Sequence, residues 1–256
     1  MSEQNARAVL ITGASRGIGR ALALRLAQSG ATVIINYRRD EQAASSAAAE
    51  VVSRGGRAVL VSADVADAGA VEAMFATIRE QVGRLDGLVV NAAASAFKPL
   101  ADIRTHHVER TMAITITGFL DLVRLATPLL AESKGRIVAV SGWDSFRVLP
   151  GHGLLGAAKA AMEAMTRYLA VELAPHGITV VGVCPGPVDT DSFRYYAGAA
   201  WTQYEASWLP MTPSGRFPDA NDIADVIELF LARQSYWVNG QTVVADGGIS
   251  LTTMPS

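Results

Sequence analysis

Seven apolar runs of strand length recur along the chain, separated by longer segments of mixed polarity. Most of these runs are unbroken and rich in Val and Ile, which is typical of parallel strands covered on both faces. The predicted strands are 7–12, 32–37, 57–62, 87–91, 136–141, 179–184 and 241–245.

The segments between these runs have helical length, and several repeat apolar residues at helical spacing. Segment 219–233, for example, carries Ile223, Val226, Ile227 and Phe230 on one side. The predicted helices lie near 18–29, 40–53, 67–82, 103–132, 154–174 and 219–232. Repeated β-α alternation predicts an α/β fold: a doubly wound parallel sheet of about seven strands, with helices on both faces and right-handed crossovers. We expect a single domain over residues 1–256.

One segment, 189–218, breaks this alternation and is rich in aromatic residues and proline. A long insertion after the carboxyl end of a strand borders the ligand crevice of such a sheet. The segment is therefore predicted to be a substrate lid, and its alternative role is a packed surface flap. Its predicted substrate contacts are Tyr195, Tyr196 and Trp201.

Composition narrows the choice of partners and compartment. The net charge of −2 and pI near 6.1 give no electrostatic reason to expect nucleic acid or an anionic membrane. No unbroken apolar run reaches the ~18–20 residues of a membrane span, so no membrane partner is expected. The single Cys184 cannot form an internal disulfide, which favours a reducing cytoplasm. No Cys/His/carboxylate cluster predicts a metal site.

A glycine-rich loop follows the first predicted strand and leads into the first helix. Glycines at 13, 17 and 19 allow a tight turn and a close approach of backbone to a pyrophosphate at the helix N-terminus. The spacing is G-x-x-x-G-x-G, and its place between an apolar strand and an amphipathic helix makes the phosphate-binding interpretation strong.

Further motifs follow in order: Asp64-Val65, Asn91-Ala92-Ala93, Pro185–Thr190 and Asp246-Gly247-Gly248. Together with the glycine loop, they resemble the short-chain dehydrogenase/reductase superfamily over residues 7–251. The resemblance implies a Rossmann-type fold, a nicotinamide cofactor, and a homodimer or homotetramer built on helices near 103–132 and 154–174. The cofactor-binding residues that it implies are Gly13, Ser15, Arg16, Gly17, Ile18, Gly19, Asp64, Val65, Asn91, Ala92, Lys159, Pro185, Gly186, Val188 and Thr190.

Charge at the end of the second strand favours NADP(H) over NAD(H). Residues 35–39 contain no acid that could hold a ribose 2′-hydroxyl. Arg16, Arg38 and Arg39 can instead surround a 2′-phosphate with guanidinium groups. The alternative is that Arg38 and Arg39 only begin a solvated surface helix.

The catalytic positions match the family only in part. Lys159 stands where the family has its lysine, but Leu155, four residues earlier, replaces the usual tyrosine. In the enoyl-acyl-carrier-protein reductase branch, the tyrosine lies seven residues before the lysine, and that position is His152. The local pattern resembles this branch most closely. Gly142 and Thr115 stand where the family has its serine and asparagine.

His152 is the predicted replacement for the tyrosine, because histidine exchanges protons near neutral pH. Its alternative is a structural histidine in a loop or interface. Asp144 can orient His152, act as the acid or base itself, or only begin a turn. Trp143 is predicted to line a flat substrate pocket, and its alternative role is packing.

Three functions remain open from the sequence. The leading hypothesis is an NADPH-dependent reductase of an enoyl, enone or carbonyl substrate, small or carrier-bound, with catalytic Lys159, His152 and Asp144. The second is a dehydratase, isomerase or cyclase with structural NADP(H), since fold does not fix function. The third is a non-catalytic NADP-binding protein.

Overall fold

The seven apolar runs form one parallel sheet in the computed structural model, which describes residues 7–190, 193–194, 198 and 201–252. The strands are β1 (Ala8–Ile11), β2 (Thr32–Tyr37), β3 (Arg57–Ser62), β4 (Gly87–Val90), β5 (Arg136–Val140), β6 (Thr179–Pro185) and β7 (Thr242–Ala245). Their order is β3-β2-β1-β4-β5-β6-β7, and all neighbouring pairs are parallel. The predicted sheet is confirmed, and each strand end differs from its prediction by at most one residue.

Alternate residues of a strand pack on opposite faces, which explains why the runs show no polar alternation. In β1, Leu10 packs into a core with Phe75 and Phe119, whereas Ile11 packs into a second core with Leu22. Helices cover both faces as predicted. They are α1 (Gly17–Ala27), α2 (Glu41–Ser53), α3 (Ala68–Gln81), α4 (Thr105–Met112), α5 (Gly118–Ser133), α6 (Gly153–Glu172), α7 (Trp201–Trp208) and α8 (Ala220–Leu231).

The predicted helix near 103–132 is not uniform. A π-helical turn, Ala113–Thr117, joins α4 to α5, and such turns often occur at functional sites. It contains Thr115, which is fully buried and whose hydroxyl has no hydrogen-bond partner among the described residues.

The whole segment Thr105–Ser133 is long and apolar enough, by length and composition alone, to cross a membrane. Half of its most apolar window is buried inside the fold, and a core helix passes the same test. Phe119, Leu122 and Leu130 on α5 are all fully buried in the first core. We therefore assign Thr105–Ser133 to the helices that pack against the sheet.

The aromatic segment 189–218 contains α7 and a 3₁₀ turn, Leu209–Met211. Its two ends meet, because the Asp189 N–H donates a hydrogen bond to the Pro218 carbonyl at 2.9 Å. Tyr195 and Tyr196 lie outside the described residues, so their predicted substrate contacts stay predictions.

Candidate active site

The glycine loop is fixed at the point where the sheet order reverses, between β1 and β4. A Cβ on Gly19 would lie 2.6 Å from the Gly13 carbonyl oxygen, so α1 can approach the loop only with glycine there. Gly13 has φ +65° and Gly17 has φ +53°, a region that favours glycine. Asn91 Nδ2, at the end of β4, donates to the Thr12 carbonyl at 2.9 Å.

A cavity of about 520 Å³ lies beside this loop. Most of the predicted cofactor residues line it, namely Gly13, Ser15, Arg16, Gly17, Ile18, Arg38, Arg39, Asp64, Val65, Asn91, Ala92 and Thr190. Gly19 instead packs beneath the loop. The structure adds Asn36 to this lining, and Gly13 N donates to its side-chain oxygen at 3.4 Å. A polar residue near the end of an otherwise apolar strand was the available sequence signal for Asn36.

The cavity carries both cations and carboxylates. Arg16 approaches Asp40 at 3.4 Å, and both side chains are about half exposed. Asp64 accepts a 2.6 Å hydrogen bond from Arg110. Burial alone would raise the pKa of the Asp64 carboxyl, but bonds from Arg110 and the Ala66 N–H bring the pKa below its ordinary value. Asp64 is therefore a carboxylate at neutral pH.

A second cavity, of about 240 Å³, continues from the first. The two share Ile18, Asn91 and Thr190 in their linings. Seven further predicted residues converge here, since Trp143, Asp144, His152, Lys159, Pro185, Gly186 and Val188 all line this cavity.

His152 and Asp144 form a pair in the second cavity. His152 precedes the first turn of α6, and its Nδ1 lies 3.3 Å from Asp144 Oδ2. The side chains are 18% and 7% exposed, so solvent reaches the imidazole more than the carboxylate. The ring of Phe97 packs against the imidazole with 4.6 Å between centroids. The direction of His152, which the sequence left open, is towards Asp144.

Asp144 explains two glycines around it. A Cβ on Gly142 would lie 2.7 Å from Asp144 Oδ1, and a Cβ on Gly156 would lie 2.3 Å from the Asp144 backbone oxygen. The carboxylate thus occupies the space that a side chain at position 142, the family's serine position, would need. In the sequence, Gly142 is identifiable only as the position of the missing serine, and the glycine two residues before Asp144 is the signal of this packing.

Lys159 is almost completely buried at the base of the second cavity, with 4% exposure. Its Nζ donates a 2.6 Å hydrogen bond to the carbonyl of Val140 at the end of β5. Burial lowers the pKa of the ammonium to about 8, although the charges of Asp144 and Glu163 act in the opposite direction. Ser141 lies nearby, but its hydroxyl donates to Glu163 at 2.5 Å.

Aromatic side chains form one wall of the second cavity. The rings of Trp143 and Trp208 meet edge to face at 5.8 Å, and Tyr204 stacks on Trp208 at 4.5 Å. Trp201 lines neither cavity and packs against Phe193 and Phe217 instead. Its predicted substrate contact stays a prediction, whereas Trp208 takes the wall position in the described part of the chain.

Comparison with known proteins identifies the class to which this fold and these cavities belong. The family model described as "Enoyl-(Acyl carrier protein) reductase" matches residues 13–250. The chain belongs to this family of the short-chain dehydrogenase/reductase superfamily, which confirms the resemblance seen in the sequence. Reductases of the superfamily bind nicotinamide cofactors.

Individual relatives agree with this membership. The 1-cyclohexenylcarbonyl-CoA reductase of Streptomyces collinus is 41% identical over 246 residues, covering 96% of this chain and 88% of the relative. The 3-oxoacyl-[acyl-carrier-protein] reductase of Synechocystis sp. is 32% identical, covering 97% and 99%. The solved structure of LugOII, a promiscuous reductase for keto-reduction at C1 during lugdunomycin biosynthesis, has a TM-score of 0.85, with 33% identity over 97% of this chain and 99% of that chain. These relatives are oxidoreductases.

The buried ammonium of Lys159 predicts a pH-dependent stability. Between pH 8 and ~10.5 the unfolded chain keeps a proton that the folded Lys159 has lost, so the free energy of unfolding rises with pH. Relative to Lys159→Met, the wild type should gain about 2 kcal/mol between pH 7 and pH 10. Urea denaturation measures this gain, with the exposed Lys98→Met as control. Equal responses of both variants would contradict the buried charge.

Alanine substitutions at the two glycines beside Asp144 should change the free energy of unfolding by different amounts. In Gly142→Ala, the carboxylate tip can move, so the free energy of unfolding should change by less than about 0.5 kcal/mol. The Asp144–His152 contact should then be longer in a crystal structure of that variant. In Gly156→Ala, the methyl group meets backbone, and unfolding should be easier by about 1–3 kcal/mol. An unchanged Asp144–His152 distance in Gly142→Ala would show that the carboxylate does not fill this space.

Proposed function

We propose that the protein is an NADPH-dependent reductase of an enoyl thioester or related enone, with His152 in place of the family's tyrosine. The observation that carries this proposal is the His152–Asp144 pair, which lies with Lys159 in a cavity that continues from the cofactor cavity. A carbonyl substrate in the same cavity would use the same groups.

The first cavity fits a phosphorylated dinucleotide. Gly17 has φ +53° at the N-terminus of α1, and a Cβ there would approach Thr190 Cγ2 at 3.9 Å without a clash, so the backbone at this point is accessible to a pyrophosphate. Arg16, Arg38 and Arg39 line the cavity and supply guanidinium groups for a 2′-phosphate. That phosphate would compete with Asp40 for Arg16. When bound, NADPH supplies the hydride.

His152 is proposed as the proton donor. Hydride addition to the β-carbon of an enoyl thioester places negative charge on the thioester oxygen, and a proton is needed to complete reduction. With Nδ1 bonded to Asp144, Nε2 is proposed as the atom that passes the proton to the substrate. The Asp144 carboxylate holds the imidazole in this orientation. Lys159 is proposed to bind the nicotinamide ribose.

The shape of the second cavity supports a compact, apolar acyl group. Trp143, Trp208, Leu149 and Leu155 supply flat and branched walls in a volume of about 240 Å³. The relative from Streptomyces collinus, named for an unsaturated ring thioester, supports the same substrate class. Segment 189–218, which carries Trp208, is proposed as the lid of this cavity.

Assembly, domain organisation and compartment are proposed together. Residues 1–256 are proposed to form one domain that assembles into a homodimer or homotetramer in the cytoplasm. Exposed apolar side chains support an interface on the two long helical segments: Val108 and Leu120 on α4 and α5, and Tyr168 and Val171 on α6.

Removing the two arginines after β2 should change cofactor choice. In the double variant Arg38→Ala/Arg39→Ala, KM for NADPH should rise about 10- to 100-fold, because charge-assisted bonds to the 2′-phosphate are lost. KM for NADH should stay within about twofold. Steady-state kinetics measures both, with Arg54→Ala as control, since Arg54 pairs with Glu50 outside the cavity. An equal loss for both cofactors would contradict a 2′-phosphate site.

Replacing the proposed donor should slow turnover more than it weakens binding. His152→Ala should lower kcat by about 100- to 10,000-fold on an enoyl thioester, with NADPH oxidation as the measurement. Asp144→Asn should lower kcat less, because the imidazole remains. The exposed His176→Ala is the control.

Two outcomes would overturn this function. Product formation without a change in nicotinamide absorbance would select a dehydratase, isomerase or cyclase with structural NADP(H). Tight NADPH binding without turnover on a broad panel of enoyl and carbonyl substrates would select a non-catalytic binding protein.

A further inference from the structure

We propose that four basic residues beside the mouth of the second cavity bind the phosphates of coenzyme A, so that the substrate is a coenzyme A thioester. These residues, Lys98, Arg104, His106 and His107, are called the basic rim. This inference rests on the proposed function, because it names the carrier of the acyl group reduced in that cavity.

The basic rim is held together by local contacts at the start of α4. The Arg104 N–H donates to His107 Nδ1 at 3.1 Å, which leaves the other imidazole nitrogen of His107 available as a donor. The rings of His106 and His107 lie 4.0 Å apart between centroids. The rim therefore presents several cationic or N–H donor groups from one short segment.

The cations of the basic rim form no ion pair with any described residue. The pKa of His107 lies below its ordinary value, because partial burial and then the charges of His106, Lys98 and Arg104 disfavour the protonated imidazole. Within the described part of the chain, no carboxylate lies within 4 Å of the side-chain nitrogens of Lys98, Arg104 or His106.

Exposed arginines elsewhere on the surface are of two kinds. Arg25, Arg54, Arg124 and Arg216 each have a carboxylate partner, whereas Arg79, Arg167 and Arg233 have none within 4 Å among the described residues. Grouped cations without such partners attract an external anion, and guanidinium groups bind phosphate well.

The basic rim connects directly to the cavity wall. Lys98 follows Phe97, whose ring packs on His152 and lines the second cavity. Leu100, which is 64% exposed, lies over Gly153 at the start of α6. A thioester placed beside His152 would thus extend its pantetheine arm past Phe97 and over Leu100 before its phosphates reach the rim.

The extent of the rim favours coenzyme A over an acidic carrier protein. A protein carrier would cover about 800 Å² of this surface, and we would expect its cationic contacts to be spread over that area. The cations of the basic rim are instead confined to residues 98–107, as a small ligand requires. Arg147, the next cation along this side of the cavity, already lies over Trp143 and donates to the Ser250 carbonyl.

The test compares 1-cyclohexenylcarbonyl thioesters of coenzyme A, pantetheine and an acyl carrier protein as substrates with NADPH. In the variant Lys98→Gln/Arg104→Gln, KM for the coenzyme A thioester should rise about 10- to 100-fold, with kcat nearly unchanged. KM for the pantetheine thioester, which lacks the nucleotide phosphates, should stay within about twofold. Arg54→Gln is the control, since Arg54 pairs with Glu50 and lines neither cavity.

Several results would overturn the proposal. Equal losses for the coenzyme A and pantetheine thioesters would indicate a structural role, and a loss confined to the carrier-protein thioester would indicate a protein carrier. A changed oligomeric state of the double variant in light scattering would assign the rim to an interface.

Calorimetry with free coenzyme A separates this inference from the proposed function. If no thioester is reduced, the proposed function fails, yet weaker coenzyme A binding by the double variant would still support the rim. Equal binding by wild type and double variant would overturn it.

Discussion

The site depends on one buried hydroxyl, that of Thr12, which joins the carboxyl ends of two central strands. Thr12 Oγ1 accepts hydrogen bonds from the backbone N–H groups of Asn91 at 2.9 Å and Ala92 at 3.0 Å. This contact fixes the separation of β1 and β4 where the sheet order reverses, so the loops beyond them diverge and leave a crevice. Both cavities open from that crevice. The positions of the glycine loop and of Asn91, and with them the first cavity, are therefore set by the same contact.

Beside this crevice, the second cavity concentrates buried charge. The carboxylate of Asp144 lies between Gly142, Gly156 and His152, while the ammonium of Lys159 is held at the end of β5. Burying these groups opposes stability, because each loses hydration. A site that retains such groups gains control over proton affinity, which is the property that acid–base chemistry requires.

Much of the fold could be predicted because its strands are buried on both faces. The bounds of β2 and β3 match the predicted 32–37 and 57–62, because each strand is built around an unbroken apolar run, Val33–Ile35 and Ala58–Val61. The glycine loop could also be predicted from the sequence. Gly13 and Gly17 have positive φ, and a side chain at Gly19 would collide with the loop backbone.

The second cavity was less predictable, since its contacts join segments distant in sequence. The direction of His152 depends on Asp144 and Phe97, and the wall position of Trp208 depends on how segment 189–218 packs. Spacing along the chain could not distinguish Trp201 from Trp208. Asp144 also couples two positions that lie apart along the chain. Because its carboxylate fills the space beside position 142, any side chain there must displace it, and that displacement lengthens its contact with His152. Positions 142, 144 and 152 are thus linked through packing, so a substitution at one of them changes the environment of the other two.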